Sequence, residues 1–141
     1  VYNNNLKIGG VKITADGSPQ GKTAYFTTPY LTGGPSGEKN WIGEPGFPQD
    51  SLNAWFKKVY DAKVQLLVHA NGDAAMDMIL KAHEFASGND KTADRRTTVI
   101  HSQLFLWRYS YSESRNGTGF IHESVKYSNK IKFTADKPYR L

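Results

Sequence analysis

Two histidines close two apolar runs that lie one βα unit apart. The first run is Val64-Gln65-Leu66-Leu67-Val68-His69, leading into Ala70-Asn71-Gly72-Asp73. The second is Thr97-Thr98-Val99-Ile100-His101, leading into Ser102-Gln103. One amphipathic segment of helical length separates them. Parallel strands joined by a helix lie side by side. Side chains at their carboxyl ends therefore meet on the face where α/β proteins place their chemistry. Two imidazoles there can share one metal ion. The competing reading is structural, with each histidine hydrogen-bonded and half-buried at a strand end. It is the matched placement of His69 and His101 that raises the metal reading to the same level. His83 falls on a helix stripe and reads as packing. His122 lies in an irregular tail.

Lys12 is the next residue of interest. It sits inside a strand, flanked by Val11 and Ile13, and alternation turns it to the opposite face from them. A buried lysine is costly unless paired. The pattern alone favours a solvent-facing lysine on an edge strand. The alternative is a lysine aimed into a barrel mouth, where carboxylation by CO2 would make it an anionic metal ligand. Asp16, Asp73 and Gln103 each follow a strand on the same presumed face. Asp73 reads as a helix N-cap and Asp16 before Gly17 as a turn former, though either can orient a ligand imidazole. No nucleophile-elbow pattern surrounds Ser18 or Ser102. Thr32-Gly33-Gly34-Pro35-Ser36-Gly37 lacks the strand and the Lys-Ser/Thr ending of a phosphate loop.

The elements that must position these groups are legible from periodicity. Leu6 to Ala15 reads as a strand interrupted at Gly9-Gly10, its firm part running from Val11 to Ala15. Residues 16–50 form a connection rich in glycine and proline, too long for a simple turn. Leu52, Trp55, Phe56, Val59 and Tyr60 then mark a helix stripe, with Asp50 or Ser51 available as its cap. The strand from Val64 to His69 follows. After it comes a helix carrying Met76, Ile79, Leu80 and His83 and ending near Gly88, then the strand from Thr97 to His101. Strand, loop, helix, strand, helix, strand implies a parallel α/β sheet. After Trp107 no amphipathic face emerges, so residues 1–107 and 108–141 read as two regions.

Composition sets the outer limits. The chain has 141 residues, enough for one domain with one modest core. It has no cysteine, which excludes disulfides and thiolate chemistry and leaves the compartment open. No apolar stretch approaches the roughly 20 residues of a membrane span. The polar start, Val1-Tyr2-Asn3-Asn4-Asn5, has no signal-peptide pattern and reads as an internal cut or a processed start. The net charge of +5 is concentrated in the tail, where Arg108 to Leu141 carries seven Lys/Arg against three Asp/Glu.

In fixed order the chain carries Gly10-Val11-Lys12-Ile13-Thr14-Ala15-Asp16-Gly17-Ser18, Thr23-Ala24, Pro29-Tyr30, Val68-His69-Ala70-Asn71-Gly72-Asp73-Ala74-Ala75 and Val99-Ile100-His101-Ser102-Gln103. Together these resemble the amidohydrolase superfamily, in its family 3 branch related to N-substituted formamide deformylases, over about residues 6 to 105. The resemblance implies a metal-dependent (β/α)8 barrel. Such a barrel takes an His-x-His pair on its first strand, a lysine or other bridging group on the fourth, a histidine on the fifth and on the sixth, and an aspartate on the eighth. Lys12 matches the fourth-strand position, His69 the fifth and His101 the sixth. The implied cofactor is a divalent metal, with zinc the expected ion, and the implied chemistry is attack of metal-activated water on an amide-type carbon–nitrogen bond.

The chain also departs from that pattern. It contains no His-x-His, offers no eighth-strand aspartate, and is far short of the roughly 250 residues of a whole barrel. The expectation is therefore the central fragment of such a barrel, about three parallel strands with two helices. Its carboxyl end would be unrelated or frame-shifted, and it would be inactive in isolation. The expected partner of the parent enzyme is a small amide-type substrate, with no membrane contact. Exposed barrel edges would promote self-association. The alternative is a non-catalytic α/β binding module. Its tail interleaves Arg108, Arg115, Lys126, Lys130, Lys132, Lys137 and Arg140 with Tyr109, Tyr111, Phe120, Tyr127 and Phe133, a set able to contact an acidic partner or nucleic acid. A solvated tail is the simpler reading and weighs against nucleic acid.

Overall fold

Three parallel strands and two helices alternate along the chain: β1 (Val11–Thr14), α1 (Gln49–Asp61), β2 (Leu66–Ala70), α2 (Asp73–Ser87) and β3 (Thr98–His101). The computed structural model describes residues 4–90 and 93–102. The basic tail, with His122 and Gln103, lies outside the described residues, as does the binding-module reading that rests on it. The sheet order is β1-β2-β3. Register pairs Thr14 with His69 and Val68 with Val99.

Alternation sorts the sheet into two faces. Ile13, Leu66, Val68, Ala70 and Val99 point one way and are buried. Both helices cover that face, and one core joins those residues to Leu52, Phe56, Val59 and Tyr60 of α1 and to Ala75, Met76, Ile79, Ala82 and Ala86 of α2. Phe56, Leu52, Leu66, Ile79 and Val68 are essentially fully enclosed, each worth about 1.5–3 kcal/mol of burial. The opposite face carries Lys12, Thr14, Leu67, His69, Thr98 and Ile100 and has no layer packed over it among the described residues.

Several local expectations shift. The N-cap of α1 is Pro48, in extended conformation, so neither Asp50 nor Ser51 caps it. The helix is entered two residues earlier than an Asp50 cap would give, because proline's fixed φ suits the last extended position. The N-cap of α2 is Gly72; Asp73 is the first helical residue, and its carboxylate accepts from the Ala74 N–H at 3.0 Å and from Thr27. The strands begin later than the apolar runs do, at Leu66 and Thr98. His83 is not simple packing. Its Nδ1 lies 2.6 Å from the Tyr60 hydroxyl, which lies 2.8 Å from Thr97 Oγ1. Burial pushes the His83 pKa down to about 4 and the Tyr60 pKa up to about 12. The neutral imidazole therefore accepts from the tyrosine, which accepts from the threonine.

The long connection between β1 and α1 is built, with a small core of its own. Ala24, Phe26 and Tyr30 are buried together, with Trp41 packed against them. Its own hydrogen bonds close it: Phe26 N–H donates to Ile42 O, Tyr30 N–H to Trp41 O, and Trp41 Nε1–H to Lys22 O. It lies over the carboxyl ends of the strands, where the histidines are.

Candidate functional site

Asp16 is the centre of the carboxyl end of the sheet. Its side chain is fully buried. Oδ2 accepts from Tyr25 N–H at 3.0 Å and from Gly72 N–H at 2.8 Å, and Oδ1 accepts from Asn71 N–H at 3.0 Å. One carboxylate thus ties the end of β1 to the long connection and to the β2–α2 turn. Three backbone donors satisfy a charge that would otherwise be costly to bury. The turn-former reading of Asp16 understates it, because its partners lie far along the chain. Asp73 does a parallel job. It accepts from Thr27 N–H at 2.8 Å and from the Thr27 hydroxyl, anchoring the connection to the start of α2.

His69 stands beside this clamp. Its Nε2 is 3.1 Å from the Gly17 carbonyl oxygen and 3.5 Å from Asp16 Oδ1. The Asn71 side-chain amide donates to the same Gly17 carbonyl at 2.9 Å. Gly72 permits the close approach, since a Cβ there would overlap the Tyr25 carbonyl.

The two histidine rings meet. Their centroids are 4.7 Å apart, edge to face. Register alone would not bring them together, because His69 pairs with Ile100 and His101 pairs with Ala70. Strict alternation would send His101 to the helix-covered face. His101 instead adopts a φ of +78°, and Ser102 one of +47°. Both are left-handed, a conformation that costs an ordinary residue roughly 1–2 kcal/mol. The Ser102 N–H then donates to Ala70 O at 2.9 Å, which secures the turned strand end. The backbone is strained at the residue whose ring must be turned toward His69.

Burial, the neighbouring His69 and the Lys12 ammonium all push the His101 pKa below 6.5, with Asp16 opposing them. Its ring is therefore neutral at neutral pH, the form that can donate a lone pair. Lys12 is exposed, on the same face as His69 by register, and near enough to act on His101. Among the described residues no group of three His, Cys, Asp or Glu side chains gathers as a metal site would require. The donors that do meet are two imidazoles.

The amidohydrolase family model matches residues 2–115. The chain belongs to the amidohydrolase family. The match takes in the clamp, both histidines and Lys12, and runs past Trp107 into the region outside the described residues. Among curated proteins, this family member is 31% identical over 98 residues to Protein LONG AFTER FAR-RED 3 of Arabidopsis thaliana, covering 70% of this chain and 16% of that one. It is 28% identical over 99 residues to YtcJ of Bacillus subtilis, named as a candidate amidohydrolase, covering 70% of this chain and 17% of that one. Two solved structures share its fold. Both are uncharacterised proteins described as metal-dependent hydrolases. The one from Pyrococcus furiosus is 25% identical with a TM-score of 0.65, covering 82% of this chain and 22% of that chain. The one from Pyrococcus horikoshii is 23% identical with a TM-score of 0.66, covering 85% and 22%. The chain therefore spans less than a quarter of the length of each relative named here.

Proposed function

We propose that this chain is the fourth-to-sixth-strand sector of a metal-dependent (β/α)8 hydrolase that cleaves amide-type carbon–nitrogen bonds, with His69, His101 and Lys12 facing one divalent ion. The observation that carries the reading is the ring contact of His69 and His101 across adjacent parallel strands, achieved through a left-handed turn at His101. Sequential strand order with both helices on one face suits a singly wound barrel sector. A doubly wound sheet places helices on both faces.

In this reading His69 and His101 hold the ion, and Lys12 contributes only if carboxylated. Zinc is the ion we expect, since neutral imidazole suits it and two such rings are close enough to share it. A bound metal supplies Lewis-acid activation of water. The chain's own groups do the rest that can be assigned. Asp16 and Gly17 hold the His69 ring, and the half-buried contact of Thr27 with Asp73 fixes the connection above the site. The His-x-His and aspartate positions of the family pattern are absent from this chain, so we expect no turnover from it alone. N-substituted formamides are the substrate class suggested by the sequence resemblance. The outer edges of β1 and β3 pair with no described strand, and Leu6, Ile8 and Val11 are exposed. That favours self-association through those edges.

The test is hydrolysis of N-formyl and N-acyl amines by the purified chain with added zinc, alongside the imidazole signals of His69 and His101. The reading predicts no turnover while zinc perturbs both rings. Robust turnover by the monomer would overturn the claim of inactivity. Unperturbed rings would overturn the metal assignment.

A further inference from the structure

The atoms around Nε2 of His69 decide which ring nitrogen carries its proton. Nε2 lies 3.1 Å from Gly17 O and 3.1 Å from Asn71 Nδ2, and Asn71 Nδ2 lies 2.9 Å from Gly17 O. The three atoms form a nearly equilateral triangle. At Nδ2, the directions to the carbonyl and to the imidazole differ by roughly 60°, so an amide hydrogen aimed straight at the carbonyl leaves the other, set about 120° from it, well off the line to the imidazole. The amide is committed to the carbonyl, the shorter contact. A lone pair on Nε2 would then face a carbonyl oxygen at 3.1 Å and the buried Asp16 carboxylate at 3.5 Å, with only the off-line Asn71 amide in return. A proton on Nε2 instead donates to the Gly17 carbonyl and faces the negative Asp16 carboxylate.

We infer that Asp16 and the Gly17 carbonyl hold His69 as the Nε2–H tautomer, which makes Asp16 a positioning residue for this imidazole. Nδ1 is then the one ring nitrogen of His69 with a lone pair. The rest of the Asp16 environment supports this. The carboxylate is fixed by three backbone N–H groups from two separate segments, so it cannot swing away from the ring. The proton position on His69 is thereby coupled to the seating of the long connection. That Nδ1 meets a metal ion rests on the proposed function; the tautomer does not.

The test uses the full chain labelled with 15N-histidine. Long-range 1H–15N spectra are taken near pH 8.5, where imidazoles are neutral, and the His69 signals are assigned by their loss in His69→Gln. A solvated imidazole mixes both tautomers. The inference predicts that His69 shows one form, with Nε2 protonated. Asn71→Ala should leave that form unchanged, because the amide is not a donor to the ring. Asp16→Asn should raise the minor tautomer about tenfold by removing a charge close to Nε2. A pyridine-type Nε2 in the wild type, or a switch of tautomer in Asn71→Ala, would overturn the inference. Should Asp16→Asn not fold, those two spectra still decide it; should it fold with the tautomer unmoved, Asp16 is not the positioning residue. Zinc is added last. An Nε2–H form whose Nδ1 signal ignores zinc would support the tautomer assignment and count against the metal reading alone.

Discussion

Replacing Asp16 by alanine tests the clamp more severely than any other single change. The substitution strands three backbone donors, those of Tyr25, Asn71 and Gly72, each now held at 2.8–3.0 Å by a fully buried carboxylate. A hydrogen bond to a charged group contributes about 1.5–3 kcal/mol, and a buried donor left unpaired costs about 1–3 kcal/mol. Water entering the vacated space can serve one or two of the three. The expected loss is therefore about 3–5 kcal/mol, close to the cost of removing one partner from a buried charged pair. Total stability for a domain of this kind is about 5–15 kcal/mol, so the loss is a large share of it. Urea unfolding followed by circular dichroism reads it as a fall of about 2 M in midpoint. Asp61→Ala is the control. Asp61 pairs with Lys57 on the surface of α1, both side chains more than half exposed, and such pairs contribute at most about 1 kcal/mol. If Asp16→Ala unfolded within about 1 kcal/mol of wild type, Asp16 would not be the tie between the three segments.

Two further outcomes follow from the same geometry. Gly72→Ala drives a Cβ into the Tyr25 carbonyl; it should lower the thermal midpoint by several degrees, and an unchanged midpoint would show that the turn can open freely. The pH dependence of stability should carry a signature of His83, whose pKa is about 4 in the fold against 6.5 unfolded. The unfolded chain takes up the proton first, so stability falls as pH drops from about 6.5 to about 4 and levels off below that. The full shift corresponds to about 3 kcal/mol, reduced to about 1–2 kcal/mol by the ring's partial contact with solvent. Denaturant titrations of wild type and His83→Gln across that window should differ in slope, and parallel curves would refute the assignment.

Much of this arrangement is legible in the chain because it is local and periodic. The stripe of Leu52, Phe56, Val59 and Tyr60 marks α1, and the runs ending at His69 and His101 mark two strands. Adjacency of those parallel strands also places the two histidines at neighbouring strand ends. What periodicity misses is set at a distance or by backbone inversion. His101 occupies the wrong parity for the shared face, and nothing in Val-Ile-His-Ser signals two successive left-handed residues. Asp16 before Gly17 looks like a turn because local rules see only its neighbours, while its donors come from residues 25, 71 and 72. The same limit hides the role of Asp73, whose partner Thr27 lies across the long connection. The cap of α1 is misplaced because aspartate and serine outrank proline as caps in expectation, whereas here the extended Pro48 ends the connection.

The central claim is that His69 and His101 together form the metal-facing pair, and zinc calorimetry on the full chain tests it most directly. Wild type should release binding heat at neutral pH, where His101 is held neutral by burial and by His69 and Lys12. Its pKa lies below 6.5, so proton competition at His101 sets in only on the acid side of that value. The double variant His69→Ala/His101→Ala should lose the heat, and each single variant should weaken it. Equal heats from wild type and double variant would contradict the account and leave the contact between the two rings a structural one.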